Sequence, residues 1–311
     1  MNDASDVLIL GAGPIGTGFA AAFLGAGLPV CLVDPSEAAR AGIPGLIDRH
    51  SRAMALAGLP VSTGMPGILP ALPDRIAAAL VVEAGPERLE AKQALFADLL
   101  SRSSEATVIA TASSAIPISR ILPEVRDQAR CLVAHPANPP SLLRVLELVP
   151  APGTLPRTMD RAEALFRQGG FAPARLGHEV PAFVFNRLQS ALLREAYRLV
   201  DEGVIGVDAL DSLVRDGLGP RWALSGPFET ADLNTAGGIR GHAERLGPAY
   251  AAIGRDRGET APDWSPALVD RVEAERRAVL PEAALDTRRA WRETALARLL
   301  AARRAILEDD A

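Results

Sequence analysis

The sequence predicts a doubly wound α/β sheet followed by an all-α domain. Short apolar segments alternate with helical segments over the first part of the chain, a pattern typical of parallel sheets with crossover helices. A glycine-rich turn separates the first apolar segment from the first helix. From about Pro181 onward the strand pattern ends, and apolar residues recur at helical spacing. We therefore place the boundary between Arg175 and Val180, which gives domains 1–180 and 181–311.

The elements of the first domain begin with Val7–Leu10, a continuous apolar run expected of a central strand buried on both faces. The turn 11–16 follows, and Pro14 suits the first turn of a helix that ends at Gly25 or Gly27. A polar segment punctuated by glycine and proline follows the second strand, and we assign no element to it. The remaining strands are predicted at 30–33, 68–69, 80–82, 108–110, 131–134 and 143–149, and a helix at 87–100.

The second domain is predicted to be entirely helical. Leu188, Leu192 and Leu199 recur at helical spacing and place a helix at 183–200. Ser265 followed by Pro266 is typical of an N-cap and first helical residue. The last fifty residues carry charges at helical spacing, which indicates a solvated helix face.

Composition excludes several classes of protein. The chain has 33 basic and 38 acidic residues and a net charge of −5, which argues against binding to nucleic acid or to an anionic membrane. Because Lys92 is the only lysine, P-loop nucleotide binding and the Tyr-x-x-x-Lys chemistry of short-chain reductases are absent. Four histidines and two distant cysteines form no zinc-finger or CxxC spacing, so we expect no metal site.

We expect neither a membrane span nor a signal peptide from the sequence. The uncharged segment 7–33 is divided by glycines into strand, turn, helix and strand, which argues against a membrane span. The N-terminal residues lack the basic region of a signal peptide, and the two cysteines suit a reducing compartment. We therefore expect a cytoplasmic protein.

The turn 11–16 reads Gly-Ala-Gly-Pro-Ile-Gly between a predicted strand and a predicted helix. In that context Gly11, Gly13 and Gly16 let the backbone approach a pyrophosphate at the helix N-terminus. Asp34 ends the next strand, where its carboxylate can accept hydrogen bonds from the ribose hydroxyls. The carboxylate would repel a 2′-phosphate, so this Rossmann-type turn predicts NAD rather than NADP. Arg40 would weaken that preference if it folded back.

His135 follows a predicted strand at the carboxyl edge of the sheet, where ligands of open α/β folds bind. Glu147 lies within the next apolar strand, and a carboxylate is costly to bury there unless it is paired. A hairpin-like return would place this carboxylate against the imidazole, an arrangement suited to general acid–base chemistry. The alternatives are a structural histidine and a glutamate that points to solvent from an edge strand.

Several other polar residues are open to two interpretations. Ser113 and Ser114 end a strand at the same edge of the sheet, although such serines often only begin a turn. Asn186 lies on the first turns of the helix 183–200, where an ordinary polar position is the alternative. Arg221 follows a glycine-rich break between helices, and most arginines there are solvated.

Four stretches of the sequence resemble the 3-hydroxyacyl-CoA dehydrogenase superfamily. They are 11–16, 82–92 (Val-Glu-Ala-Gly-Pro-Glu-Arg-Leu-Glu-Ala-Lys), 134–140 (Ala-His-Pro-Ala-Asn-Pro-Pro) with Glu147, and 185–188 (Phe-Asn-Arg-Leu). Within it, 133–140, 216–221, 226–230 and 288–292 are similar to the branch of lambda-crystallin and L-gulonate 3-dehydrogenase. The resemblance spans nearly the whole chain.

The resemblance implies roles for individual residues. His135 matches the catalytic histidine, Glu147 its acidic partner and Asn186 a substrate-side asparagine. Ser114, or its neighbour Ser113, matches the serine near the reacting hydroxyl. The positions that match NAD contacts are Gly11, Gly13, Gly16, Asp34, Glu83 and Asn138.

The sequence thus predicts an NAD-dependent oxidoreductase that oxidises the 3-hydroxyl of a small, L-gulonate-like hydroxy acid. Arg221 stands where the resemblance implies an arginine of the small-acid branch, and its guanidinium could hold a substrate carboxylate. The segment between Asp34 and Glu83 looks shorter than the insertion with which acyl-CoA members hold CoA.

The residues leave other functions open. A 3-hydroxybutyryl-CoA dehydrogenase and an L-carnitine 3-dehydrogenase are the alternatives among enzymes. A non-catalytic, crystallin-like NAD-binding protein and an NAD-responsive scaffold are alternatives of another class. The resemblance and the apolar stripes of the C-terminal helices together favour a homodimer formed through those helices.

Overall fold

The computed structural model describes residues 6–224, 226–227, 230, 238–258, 278 and 281–308. Eight strands form one sheet: β1 (Val7–Leu10), β2 (Val30–Val33), β3 (Gly67–Leu69), β4 (Leu80–Glu83), β5 (Val108–Thr111), β6 (Cys131–Pro136), β7 (Val145–Pro150) and β8 (Ala172–Arg175). Their order across the sheet is β3-β2-β1-β4-β5-β6-β7-β8. Neighbouring strands are parallel except for β6 and β7, which are antiparallel. The predicted doubly wound α/β sheet is confirmed.

Helices connect the strands and continue beyond the sheet. They are α1 (Pro14–Gly25), α2 (Glu37–Leu56), α3 (Leu89–Arg102), α4 (Ile118–Ile121), α5 (Pro156–Gln168), α6 (Phe183–Asp201), α7 (Val207–Ser212), α8 (Gly219–Leu224), α9 (Gly238–Arg257) and α10 (Leu285–Glu308). A π-helical turn, Leu213–Leu218, joins α7 to α8. No strand follows β8 within the described ranges, in agreement with the predicted all-α C-terminal part.

Two apolar clusters cover the two faces of the sheet, because successive side chains of each strand point to opposite faces. In β1, Val7 and Ile9 belong to one cluster while Leu8 and Leu10 belong to the other. Helices α1, α2 and α5 contribute to the first cluster, in which four mutually packed phenylalanines, Phe19, Phe23, Phe166 and Phe171, form the centre. Helices α3 and α4 contribute to the second. The parallel sheet is therefore buried on both sides, as apolar runs such as Val7–Leu10 require.

The segment after β2, to which the sequence assigned no element, contains the helix α2. Ser36 caps it by accepting a hydrogen bond from the amide of Ala39, and Pro44 lies inside it. Its buried residues Ile43, Ile47 and Met54 pack into the first core cluster. The stabilisation gained by burying one face of α2 therefore outweighs the cost of placing helix-breaking residues within it.

The described chain divides into two compact units. One comprises residues 1–187 and 293–301, and the other comprises 188–292 and 302–311. The domain limits 1–180 and 181–311 stay a prediction. Residues 265 and 266, which carry the predicted N-cap, lie outside the described residues, as do 273 and 277, which belong to the predicted charged helix face. None of the described helices is both long and apolar enough to cross a membrane.

Candidate active site

The strand register brings several polar residues to one edge of the sheet. Leu10, at the end of β1, is level with Glu83 on β4, and Glu83 is level with Thr111 on β5. Asp34 follows directly after β2. These strands run parallel, so their carboxyl ends meet at one edge, which is where open α/β sheets bind ligands.

The glycine turn between β1 and α1 is closely packed against the protein on one side only. Gly11 has a φ of +102°, and a Cβ there would lie 2.7 Å from the carbonyl oxygen of Ala84. A Cβ on Gly16 would lie 1.9 Å from the carbonyl oxygen of Gly11. A Cβ on Gly13 would meet no protein atom within 4 Å. The fold itself therefore requires the first and third glycines, whereas at Gly13 the missing side chain leaves room for a close ligand.

The N-terminus of α1 offers the donors that a pyrophosphate needs. Gly13 is the N-cap and makes no side-chain cap, and Pro14 is the first helical residue. The amides of the first helical turn have no acceptor within the helix and are oriented toward a ligand at its N-terminus. The turn thus has the space and the donors to hold the pyrophosphate of a dinucleotide.

Asp34 is fixed at the end of β2 by two backbone donors. The amide of Ala12 donates to Oδ2 at 2.8 Å, and the amide of Ser36 donates to Oδ1 at 2.9 Å. The carboxylate is thereby tied to the glycine turn, beside which a ribose would lie. The guanidinium of Arg40 folds back and donates to the carbonyl oxygens of Asp34 and Pro35. This is the arrangement for which the sequence predicts a weaker preference for NAD over NADP.

His135 and Glu147 face each other across the β6–β7 ladder. The two residues are direct partners in the antiparallel register. His135 Nδ1 lies 2.8 Å from Oε2 of Glu147, and both side chains are only 8% exposed. The hairpin-like return therefore brings this imidazole and this carboxylate together, and neither is a solvated edge residue.

The second carboxylate oxygen of Glu147 binds the N-terminus of α6. The amides of Val184 and Phe185 donate to Oε1 at 2.7 and 3.0 Å. The Phe183 and Phe185 rings flank the imidazole of His135, with ring centres 5.6 and 6.3 Å away. Glu147 thus connects the strand that carries His135 to the helix that carries Asn186. This cap could not be predicted from the sequence, because it depends on how α6 approaches the sheet.

The two serines after β5 have different surroundings. The Ser113 hydroxyl is buried, donates to Oε1 of Glu87 at 2.5 Å and accepts from the amide of Ile116 at 2.7 Å. Ser114 is exposed. The side-chain amide of Asn186 donates to the backbone carbonyl of Ser114 at 3.3 Å, which brings α6 and the end of β5 together. Of the two, only the hydroxyl of Ser114 is at the surface and available to a ligand.

Glu83 is held within the protein by three donors. Lys92 Nζ donates to both carboxylate oxygens, at 2.9 and 2.7 Å, and the Thr111 hydroxyl donates to Oε2 at 2.6 Å. The amide of Gly85 donates to Oε1 at 2.7 Å. Glu83 and Lys92 are 1% and 2% exposed. The predicted NAD contact at Glu83 stays a prediction, and the observed role is to anchor the strand ends.

Glu87 is a further residue at this edge that the sequence analysis missed. Its side chain is 39% exposed, and Oε2 lies 3.4 Å from Lys92 Nζ. Partial burial favours a higher pKa for Glu87, but the Ser113 hydrogen bond and the charge of Lys92 outweigh it, so the pKa lies below its ordinary value. A partly exposed, ionised carboxylate therefore lies beside the candidate serines. The motif 82–92 contained the signal, since it holds Glu83, Glu87 and the only lysine of the chain.

The two remaining residues of the predicted site are Asn138 and Arg221. Asn138 is exposed on the loop that follows β6, three residues after His135. Arg221 has its backbone in α8, but its side chain lies outside the described residues. Within the described part of the chain, no cluster of three metal-binding side chains occurs.

Family models match both parts of the chain. The model of the NAD binding domain of 3-hydroxyacyl-CoA dehydrogenase matches residues 6–180. The model of the C-terminal domain of 3-hydroxyacyl-CoA dehydrogenase matches residues 183–279. The order of the two models is that of the sheet and the helices in the structure.

Individual relatives extend the match over most of the chain. A 3-hydroxyacyl-CoA dehydrogenase of Gibberella moniliformis is 39% identical over 83% of this chain and 82% of its own length. Lambda-crystallin of Oryctolagus cuniculus is 34% identical over 95% of both chains. An L-carnitine dehydrogenase of Streptomyces griseus is 36% identical over 88% of this chain and 82% of its own.

A solved structure with the same architecture is that of 5-formyl-3-hydroxy-2-methylpyridine 4-carboxylic acid 5-dehydrogenase, described as an NAD⁺-dependent dismutase. It has a TM-score of 0.75 and 26% identity, and the similarity covers 94% of this chain and 97% of that one. The glycine turn and the strand ends described above lie within the part that matches the NAD binding domain. The chain therefore belongs to the 3-hydroxyacyl-CoA dehydrogenase family, a family of NAD-dependent dehydrogenases that act on 3-hydroxy groups.

Proposed function

We propose that this member of the family oxidises the 3-hydroxyl of a small hydroxy acid similar to L-gulonate, with His135 as the general base. The observation that carries the proposal is the buried contact between His135 Nδ1 and Glu147 Oε2 at 2.8 Å. This pair lies next to the carboxyl edge of the sheet, where the dinucleotide binds.

The hydrogen bonds around Glu147 support Nε2 as the basic nitrogen of the imidazole in this proposal. An ionised carboxylate can only accept, and Oε1 already accepts from two amides of α6. His135 Nδ1 must therefore carry the proton that it shares with Oε2. The neutral ring then has Nε2 free to accept a proton, and Glu147 stabilises the cation that forms.

The remaining residues position the substrate in this proposal. The exposed hydroxyl of Ser114 would hydrogen-bond the reacting oxygen. Asn186 is held by the Ser114 carbonyl and would orient the same group from α6. Neither side chain transfers the proton, because His135 is the only base among them.

The cofactor of the proposed reaction is NAD, which supplies a hydride acceptor when it is bound. Gly11, Gly13 and Gly16 would hold its pyrophosphate with the amides of α1, and Asp34 would accept from its ribose hydroxyls. We propose Asn138 as a contact on the nicotinamide side, because it lies on the loop that follows β6, three residues after His135.

Two observations support a small acid rather than an acyl-CoA as substrate. The chain between β2 and β3 forms one helix of 20 residues, α2, and no additional helix that could hold a CoA group. The solved structure with a TM-score of 0.75 is that of an enzyme named for a small carboxylic acid. We propose that Arg221 holds the substrate carboxylate through a bidentate hydrogen bond.

The first test is the substitution His135→Ala. We expect kcat to fall by about 10²- to 10⁴-fold while NADH still binds, because only proton transfer is lost. The measurement is NADH absorbance with L-gulonate, together with NADH fluorescence for binding. His178→Ala is the matched control, since it changes an exposed histidine that belongs to none of the proposed sites. Unchanged turnover in His135→Ala would exclude His135 as the base.

A substrate panel separates the alternatives. L-gulonate, L-carnitine and 3-hydroxybutyryl-CoA would be compared by kcat/KM, and we expect L-gulonate to be preferred.

Arg221→Ala should raise KM for the acid by roughly 10- to 100-fold, whereas Arg215→Ala should not. Arg215 is a suitable control because it is exposed and paired with its neighbour Asp216. An unchanged KM in Arg221→Ala would remove Arg221 from the substrate site.

The second candidate function is a structural NAD-binding protein, which is favoured by the similarity to lambda-crystallin. Tight NADH binding without NADH formation from any substrate of the panel would support it.

We also propose a cytoplasmic location, on the composition of the sequence, and a homodimer formed through the C-terminal helices. The support for the dimer is the exposure of apolar side chains on α6, including Leu188 at 63%.

A further inference from the structure

His50 is a buried histidine that the proposed chemistry does not use. It lies on α2 and is 7% exposed. Its Nδ1 is 2.8 Å from the hydroxyl of Ser141, and its Nε2 is 3.3 Å from the hydroxyl of Thr17. The imidazole therefore bridges α1 and the loop that follows β6.

The number of available protons determines which group donates and which accepts in each hydrogen bond of this bridge. The Thr17 hydroxyl donates its only proton to the carbonyl of Gly13 at 2.8 Å, so it must accept from His50 Nε2–H. In the neutral ring Nδ1 then has no proton and accepts from the Ser141 hydroxyl. The chain of hydrogen bonds runs from Ser141 through His50 and Thr17 to Gly13.

The two ends of this chain lie at two parts of the proposed cofactor site. Gly13 is the N-cap of α1, where the pyrophosphate binds. Ser141 is three residues after Asn138, the proposed nicotinamide-side contact. The Ser141 carbonyl is also held by the guanidinium of Arg144 at 3.0 Å.

Packing between α1 and this loop is already close. A Cβ on Gly18 would lie 2.8 Å from Cγ of Pro140, so the first turns of α1 are in direct contact with the loop. Hydrophobic contact alone permits two surfaces to slide, because it is not directional. Hydrogen bonds are directional and fix the position of one surface along the other.

We propose that His50 is a positioning residue that holds the loop 137–142 in register with the glycine turn, so that both halves of the dinucleotide bind at once. The family's use of NAD is the basis of this proposal, which also rests on the proposed contact at Asn138. His50 itself touches neither the cofactor nor the substrate. Its effect passes through Thr17 on one side and Ser141 on the other.

The test compares two ligands of the intact protein. NADH needs both the turn and the loop, whereas ADP-ribose carries the pyrophosphate without the nicotinamide. In His50→Phe, which keeps a ring but loses both polar partners, we expect the Kd for NADH to rise about 10-fold, as expected for the loss of one or two hydrogen bonds. The Kd for ADP-ribose should stay within about 2-fold. Calorimetric titration measures both values without turnover.

Three further variants make the result specific. His50→Gln supplies one donor and one acceptor and should restore most of the NADH affinity. Ser141→Ala removes only the hydroxyl that donates to Nδ1, and we expect about a 3- to 10-fold weaker NADH affinity even if His50→Phe fails to fold. Met54→Leu is the control, because it changes a buried residue of the same helix that lies outside the hydrogen-bond chain.

The proposal is overturned if Ser141→Ala binds NADH as the wild type does, or if NADH and ADP-ribose weaken equally. Equal weakening would mean that His50 only stabilises the fold. The measurements involve no catalysis, so a failure of the proposed base at His135 leaves their outcome unaffected.

Discussion

At the scale of single residues, burial decides the charge of the histidine on α2. Burial, together with the smaller effect of the nearby charge of Arg49, lowers the pKa of His50 from 6.5 to about 4. The ring is therefore neutral at neutral pH. That state is the one required by the hydrogen bonds to Thr17 and Ser141, because a protonated ring would direct a second donor at Ser141.

This pKa predicts a pH dependence of stability. The unfolded chain binds a proton at His50 more strongly than the folded chain between pH 6.5 and about 4, so the free energy of unfolding falls as the pH drops through that range. Between pH 7.5 and 5 the loss should be on the order of 2 kcal/mol. Urea unfolding of the wild type and His50→Gln at both pH values isolates this contribution. An identical pH dependence in both proteins would contradict it.

At the scale of elements, the entry to α6 combines strain with compensating contacts. Ala182 and Phe183 have φ values of 62° and 55°, a conformation that L residues rarely adopt. Phe183 is fully buried in the second core cluster, and Glu147 accepts from the next two amides of the helix. Burial and capping together hold the helix start in this strained conformation, and with it the position of Asn186.

Substitution of Glu147 separates its two roles. Glu147→Ala should lower the free energy of unfolding by about 2–4 kcal/mol, because two amides and His135 lose their buried acceptor. In Glu147→Gln one carboxylate oxygen becomes an amide nitrogen, so either the cap is lost or Nδ1 becomes an acceptor and Nε2 carries the proton.

For Glu147→Gln we therefore expect a smaller loss of stability than for Ala, with kcat lowered about 10²- to 10⁴-fold. Urea unfolding and NADH absorbance are the measurements. Glu163→Gln, which changes a carboxylate paired with Arg167 on α5, is the control and should cost less than about 1 kcal/mol. Wild-type kcat in Glu147→Gln would contradict the assigned orientation of the imidazole.

Elements also differ in how well the sequence predicts them. Strands β1 and β2 have the predicted limits, because continuous apolar runs identify buried parallel strands. Strand β8 was missed, since only Ala, Pro and Arg form it and three of its four residues are exposed at the sheet edge. Helix α5 was missed although it is strongly amphipathic, with Thr158, Met159, Ala162 and Phe166 buried.

The candidate site was predictable only in part. The opposition of His135 and Glu147 follows from two adjacent strands and an unusual buried carboxylate, both visible in the sequence. The Glu83–Lys92 pair joins a strand end to a helix, and the His50 bridge joins three elements that are distant in sequence. Such contacts depend on tertiary packing, and no local pattern encodes them.

At the scale of the whole molecule, exposed apolar side chains predict self-association. Leu188, Leu192 and Leu193 on α6 are 63%, 38% and 39% exposed, and Tyr250 and Ile253 on α9 are more than half exposed. Apolar residues grouped on a helix are usually covered by a partner. We expect that partner to be a second copy of the chain.

The dimer is tested by charge substitution. The double variant Leu188→Glu and Leu192→Glu should sediment as a monomer at concentrations where the wild type is a dimer, because a carboxylate is costly to bury in an apolar interface. Val125→Glu is the control, since Val125 is 56% exposed but lies in the sheet-containing unit. Sedimentation equilibrium gives the masses. A wild type that stays monomeric at micromolar concentration would rule the dimer out.

The chain also carries its own marker of unfolding. Its single lysine is enclosed within α3 and bound to Glu83, so a protease specific for lysine finds no accessible cleavage point while the nucleotide-binding half is intact. Once that half opens, one cut after Lys92 divides the 311-residue chain into two fragments, of about 92 and 219 residues. The rate at which those fragments accumulate, with and without dinucleotide, reports directly how firmly the ligand closes this part of the molecule.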